Sequence, residues 1–241
     1  MEMPTDLQHQ AMGYDRTATM FSPEGKLLQV EYAEKAIRLG SSSIGMVCSD
    51  GVMILADKRI EEPLMVKKSS SKISEIDSHI IASSAGIVAD ARMLVEKAQL
   101  LAQQHRVTYD SPIEPEIIIK EISNIKQQFT QYGGARPFGV SMMIAGINSG
   151  KPEIYTSDVT GNYFSYHANA IGENDEKIKE SLREKYEKSL TIKKGAKIAL
   201  NIFRESQSNK FKAERFELVY IKKDDVKIEK LEGEELKNFT K

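Results

Sequence analysis

The sequence predicts an α+β fold arranged as a four-layer α-β-β-α sandwich. Three observations predict it. Apolar runs with the period of strands and stripes with the period of helices come in separate blocks, in the order strands, helix pair, strands, helix pair, strand, and segregated blocks point away from alternating βαβ units. Two antiparallel sheets must each hide one face on the other and can hide the second under a helix pair. At 241 residues the chain can bury roughly 75% of its unfolded surface in one domain without a disulfide or metal to hold it.

Residues 1–12, with Pro4 and Gln8-His9-Gln10, carry few bulky apolar groups, and composition alone makes them a loose terminus. An ordered extension over 13–40 follows. Ser22-Pro23-Glu24-Gly25 has the Ser, Pro and Gly placement of a type I turn. After it Leu28, Tyr32 and Ala36 share one helical face and Val30, Ala33 and Ile37 the adjoining one, with Gly40 expected to close the helix in a left-handed conformation. The body is expected over 41–221. Strands are predicted at 44–48 and 52–56, joined by Ser49-Asp50-Gly51, and at 72–76 and 79–83, joined by Asp77-Ser78. Val88, Ala91, Leu94, Val95, Ala98, Leu101 and Ala102 then form the apolar stripe of a helix over 87–106. Ile118, Ile122, Ile125 and Phe129 mark a second helix over 114–132, ended by Gly133-Gly134. Strands return at 140–147, 153–157 and 163–168, helices at 174–188 and 192–206, and a last strand at 215–221 alternates around Phe216, Leu218 and Tyr220. Residues 222–241 read as a charged tail that includes a short helix.

Charge and composition narrow the function. With 34 basic against 35 acidic residues the net charge is −1, which gives no basic footprint for nucleic acid or an anionic membrane. Apolar runs are far too short to span a bilayer, and no signal-peptide core opens the chain. The single Cys48, inside a predicted buried strand, cannot form an internal disulfide and is expected as a small hydrophobe in a reducing, cytoplasmic compartment. There is no phosphate-binding Gly-rich Lys-Ser/Thr loop, no His-Glu-x-x-His and no Cys/His ligand spacing, so neither a cofactor nor a metal is expected. His9, His79, His105 and His167 are scattered singly and read as ordinary polar or helix-surface residues, and Glu31 as a helix carboxylate.

Several stretches share one resemblance. Gly13-Tyr14-Asp15-Arg16, Phe21-Ser22-Pro23-Glu24-Gly25 and Gln29-Val30-Glu31-Tyr32-Ala33 resemble the N-terminal region of proteasome α subunits of the archaeal type. Ser84-Ala85-Gly86-Ile87-Val88-Ala89-Asp90-Ala91-Arg92, the run from Gln127 to Val140 through Tyr132-Gly133-Gly134, and Ala170-Ile171-Gly172 are similar to further boxes of that family in the same order. The likeness covers most of residues 13–186, and the last fifty or so carry no matching motif. It implies the proteasome-like fold of the N-terminal nucleophile hydrolases.

Enzymes of that fold use the hydroxyl or thiol of a residue freed at the N-terminus, helped by its own amine. Ser41 opens Ser41-Ser42-Ser43-Ile44-Gly45 much as a catalytic first strand would, and Asp57 and Lys72 fall near the positions of the family's active-site Asp and Lys. The enzymatic alternative is therefore an unprocessed hydrolase with Ser41 as latent nucleophile. Against it, a Ser whose nitrogen is locked in a peptide bond has lost both its base and its opening to substrate; the Ser run then serves as a polar link between helix and strand.

What the resemblance implies instead is a non-catalytic subunit. It would join neighbouring α subunits in a seven-membered ring, cap the proteasome β subunits, admit unfolded protein substrates in transit, and receive the C-terminal tails of an activating ATPase. Residues 1–12 would be the mobile gate. Tyr14, Asp15, Pro23 and Tyr32 match the family's gate cluster; Lys72, with Gly86 beside it, matches its activator-binding pocket, where an ammonium captures a tail carboxylate. The sequence departs from the family pattern at Leu28, where an aromatic is common, at Glu34, where a base is common, and at Ser84, where Thr is frequent. Lys67-Lys68 and Ser69-Ser70-Ser71 lengthen the polar approach to Lys72. A ring-forming scaffold without a protease partner is the third reading.

Overall fold

A computed structural model describes residues 12–59, 64–66, 70–207 and 211–241. Helix α1 (Leu28–Leu39) leads into β1 (Ser43–Cys48), β2 (Gly51–Asp57), β3 (Ile73–Asp77) and β4 (Ile80–Gly86). Helices α2 (Val88–Tyr109) and α3 (Pro115–Phe129) follow, then β5 (Val140–Asn148), β6 (Lys151–Ser157), β7 (Tyr163–Ser165) and β8 (Ala168–Ile171). The chain closes with α4 (Asp175–Lys185), α5 (Ile192–Gln207), a short 3₁₀ turn (Ala213–Arg215), β9 (Phe216–Lys222), β10 (Ile228–Glu232) and α6 (Gly233–Phe239).

The strands form two five-stranded sheets, β10-β9-β2-β1-β8 and β3-β4-β5-β6-β7, with antiparallel neighbours. Side-chain alternation sorts each central strand between two cores. In β2, Val52, Ile54 and Ala56 point into the layer between the sheets, while Met53 and Leu55 point to the core under α4 and α5. In β5, Met143, Ala145 and Ile147 take the inter-sheet side and Val140, Met142 and Ile144 the side under α2 and α3. Both strands are covered on both faces, which is why they read as nearly unbroken apolar runs. The result is the α-β-β-α sandwich that the sequence predicts.

Four details differ from the sequence expectation. The strand expected at 163–168 is two strands in different sheets, β7 pairing with β6 and β8 with β1, because the chain crosses from one sheet to the other at Tyr166-His167. Val88 lies off the α2 stripe, 82% exposed at the helix start, and the buried face is carried by Ala91, Leu94, Ala98 and Ala102. Residues 222–241, expected as a charged tail with a short helix, contain that helix as α6 but also contribute edge strand β10, and Leu236 of α6 is buried against the core under α5. Gly40 is extended (φ −71°) rather than left-handed. Its small size serves packing, since a Cβ there would lie 2.3 Å from the Gly86 nitrogen.

Helix α1 belongs to neither helix layer. Its Ile37 packs on the inter-sheet core and its C-terminal end meets the last residue of β4, so it closes one end of the sandwich.

Candidate functional site

The extension is built from two turns tied to α1. Gly13 turns the chain at φ +77°, the Arg16 N–H donates to the Gly13 carbonyl (3.1 Å), and the Gln29 side-chain amide on α1 donates to the Asp15 carbonyl (2.5 Å). The expected Ser22–Gly25 turn is present: the Gly25 N–H donates to the Ser22 carbonyl (2.8 Å), Ser22 is buried and Pro23 exposed. Tyr14, Asp15 and Tyr32 are half-buried, and the Lys35 ammonium stands 5.4 Å from the centre of the Tyr32 ring. Residues 1–11, most of the expected gate, lie outside the described residues, as do Lys67, Lys68 and Ser69.

The link from Leu39 to Ser43 is held by several hydrogen bonds from distant segments. The Glu173 N–H donates to the Gly40 carbonyl (2.8 Å), the Ser42 hydroxyl to the Glu173 carbonyl (2.5 Å), and the Asp57 N–H to the Ser42 carbonyl (3.0 Å). Lys72 reaches this link from the start of β3, its ammonium donating to the Ser41 carbonyl and to Ser41 Oγ (2.8 Å). Gly86 closes the other side, its nitrogen against Gly40. Lys72 and Gly86, named from resemblance, therefore flank one short stretch of backbone. The resemblance singled out Ser41 only as a latent nucleophile, and the fold shows it as the backbone that both residues hold.

Three further residues shape the site, and sequence reasoning missed them. Glu217 on β9 is fully buried; its carboxylate accepts the backbone N–H groups of Lys72 and Ile73 (2.9 Å for Ile73) and the Ser71 hydroxyl (3.0 Å), and pairs with Lys230 (2.9 Å). A signal existed. Glu217 shares the parity of Val219 and Ile221, so it interrupts the inward apolar face of the strand, which calls for a dedicated partner. Arg59, left-handed at φ 51°, pairs with Glu173 and donates to the Leu39 carbonyl (3.4 Å).

Burial chiefly pushes the Lys72 ammonium down to about 7; Arg59 lowers it further, against the opposing pull of Asp57 and Glu217. An ammonium that sheds its proton near neutral pH, bonded to a hydroxyl, is half of a nucleophile site. The other half is missing. The Ser41 nitrogen is an amide and cannot serve as base, and buried Asp57 is bound by Arg215 (3.0 and 2.5 Å) and Gln207 (2.8 Å), which fixes it as a structural carboxylate. What remains chemically is a half-buried lysine whose amine is seated against the Ser41 backbone and hydroxyl.

Elsewhere, His79 is buried and bonds the Ile113 carbonyl through Nε2 (2.8 Å), so it staples the loop before α3 as a structural polar residue. Cys48 is buried and free, and burial pushes its thiol up to about 12. Glu34 lines a cleft of about 290 Å³ opposite Asp158, and burial, with Asp158 next, raises its carboxyl. A larger cleft, about 580 Å³ between β8 and α4, contains none of the candidate residues. Among the described residues no group of His, Cys, Asp or Glu is arranged to hold a metal, and no helix is long and apolar enough to cross a membrane.

A sandwich of this layering, with a Ser and Lys in contact at the head of β1, is the proteasome-like form of the N-terminal nucleophile hydrolase fold. The chain belongs to the proteasome subunit family: residues 37–221 match the description "Proteasome subunit". Residues 14–36 match the N-terminal signature of the family's A-type subunits, which makes the chain α-type, a non-catalytic component of a threonine protease complex. Among similar proteins, the proteasome α subunit of Pyrococcus abyssi is 43% identical over 227 residues, 94% of this chain and 86% of its own length. The proteasome α subunits of Archaeoglobus fulgidus and Methanosarcina acetivorans are 41% and 40% identical over 228 residues, 95% of this chain and 92% of their own.

Proposed function

We propose that this chain assembles with neighbouring α subunits into a seven-membered ring, that the ring caps proteasome β subunits and gates the entry of unfolded protein, and that Lys72 and Gly86 receive the C-terminal tail of an activating ATPase. One observation carries the docking reading: Lys72 sits on the short link that continues directly into α1, the helix of Tyr32. A carboxylate bound there acts on the element that holds the turn of Pro23. Tyr14, Asp15, Pro23 and Tyr32 then serve as the contacts that hold the open gate between subunits, where phenol hydroxyls and a rigid Pro make a defined network. A head-to-tail contact that closes by rotation is the means by which one chain makes such a ring. The cytoplasm is the proposed compartment, in keeping with the free, buried Cys48.

Electron microscopy of the chain with its cognate β subunit tests assembly: a seven-fold ring of this chain capping a β ring is expected, and its absence defeats the proposal. With that particle, Lys72→Ala is expected to leave basal peptide hydrolysis intact and remove stimulation by an ATPase tail peptide. Equal stimulation of wild type and variant would sink the docking assignment.

A further inference from the structure

The Lys72 pocket holds a second cation with a carboxylate already on it. Arg59 is the second residue after β2, and its Nη2 pairs with the Glu173 side chain while Nη1 donates to the Leu39 carbonyl, the end of α1 (3.4 Å). The Glu173 main chain is pinned separately, its N–H on the Gly40 carbonyl and its carbonyl on the Ser42 hydroxyl (2.8 and 2.5 Å). Arg59 and Glu173 therefore embrace the same Gly40-Ser41 stretch that Lys72 binds.

Resting on the docking role proposed for Lys72, we infer that Arg59 is a second carboxylate-binding residue of that pocket and that Glu173 is an internal carboxylate which occupies it until an activator tail arrives. Lys72 offers three N–H donors and uses two on Ser41, which leaves one for a ligand. One donor holds a carboxylate weakly; a planar guanidinium with a paired fork holds it in a defined orientation. Two cations at one pocket also repel until an anion lies between them, and Arg59 is among the charges that disfavour the Lys72 ammonium, after burial. The exchange costs little. The Arg59 and Glu173 side chains are 39% and 44% exposed, so an incoming carboxylate replaces a solvent-screened partner. The Glu173 side chain swings away while its backbone bonds stay in place. As Arg59 turns towards the tail it leaves the Leu39 carbonyl, which loosens the end of α1 and links docking to the helix that carries Tyr32.

The test uses the assembled particle with its β subunits and a synthetic peptide copying the cognate ATPase C-terminus, with an amidated twin as control. Glu173→Gln is expected to lower the half-maximal peptide concentration about two- to five-fold, the worth of an exposed ion pair. Arg59→Ala should raise it about five- to ten-fold and Arg59→Lys should restore part of the loss. The amidated peptide should be indifferent to both positions. Ring assembly and melting of each variant are checked first, and a position whose variants fail to assemble is probed instead through Glu173→Asp and Arg59→Lys, with the same directions expected at smaller size. If Lys72→Ala abolishes stimulation while Arg59→Ala and Glu173→Gln match wild type, the second-cation role is wrong and the docking role stands. If Glu173→Gln weakens activation as Arg59→Ala does, the pair is only a strut and the inference is overturned. Undiminished stimulation of Lys72→Ala would remove the docking role itself.

Discussion

Lys126→Met offers the sharpest test of the physics inside this molecule. Lys126 lies on the buried stripe of α3, fully covered, with its ammonium on Ser157 Oγ and the Ser157 carbonyl (2.9 and 3.3 Å). Burial pushes it down to about 7, and the charge of Asp158 only partly opposes this. The unfolded chain holds that proton up to about pH 10.4. Between about pH 7 and pH 10 the unfolded state therefore binds more protons than the folded one, so this group makes stability rise with pH across that window. Integrating from pH 7 to pH 9 with a folded pKa of about 7 gives about 2 kcal/mol, or roughly 4 to 8 °C in Tm for a chain of this size. Met keeps the unbranched shape and removes the titration. Thermal unfolding of wild type and Lys126→Met across that range should show wild type gaining about that amount relative to the variant. At pH 7 and below, where the charge must stay buried, the variant should hold its greatest relative advantage. Parallel pH curves for the two proteins would refute the argument, because a solvated or fully ion-paired lysine would not titrate there.

Three other perturbations follow from the geometry. Gly86→Ala places a Cβ at φ +120° and 2.1 Å from the Gly139 carbonyl, and a loss of at least about 3 kcal/mol is expected in urea unfolding; an unchanged midpoint would contradict the packing. Arg136 holds the Asp90 carboxyl below its usual range through two 2.7 Å bonds, against burial and with help from the Gly139 N–H. That stabilisation is fully present above about pH 4 and is lost as pH falls through the lowered value, so Arg136→Ala should move acid unfolding to higher pH, by an energy of at most about 1 kcal/mol because the guanidinium is more than half exposed. Circular dichroism during acid titration reads this directly, and coincident curves would count against it. Glu217→Gln should cost about 2 kcal/mol in chemical unfolding by weakening charge-assisted bonds to Lys72, Ile73 and Lys230; full stability would mean that the carboxylate is dispensable.

Much of the architecture was legible because each core uses a simple period. Val52, Ile54 and Ala56 alternate with Met53 and Leu55, and Ala91, Leu94, Ala98 and Ala102 recur at helical spacing. Legibility failed where one residue answers to a distant one. Gly40 looks like a helix terminator, and only the approach of Gly86 explains why it is Gly. Lys126 looks like a polar residue at a helix end, and its burial depends on the loop at Ser157 from a strand about thirty residues on. The break between β7 and β8 follows from the sandwich having two sheets, which no local pattern encodes. In the candidate site, Lys72 and Gly86 were named through resemblance, whereas Arg59 and Glu173 lie 114 residues apart and meet only in the fold.

The link at Gly40-Ser41 explains how one scaffold serves two uses. A hydrolase of this fold needs a free amine at the head of β1 and an open approach to it. Here the amine is an amide, α1 closes the approach, and Arg215 and Gln207 occupy Asp57. The amide or the closed approach alone would suffice to block the chemistry, yet the Lys72 contact with Ser41 persists. Persistence without catalysis requires another load on that contact, and the load is visible. The Ser41 carbonyl is one that α1 leaves behind as it enters β1, and Lys72 satisfies it from a different sheet. The contact therefore has a structural reason that is independent of catalysis: the ammonium ties the stem of α1 to the far sheet.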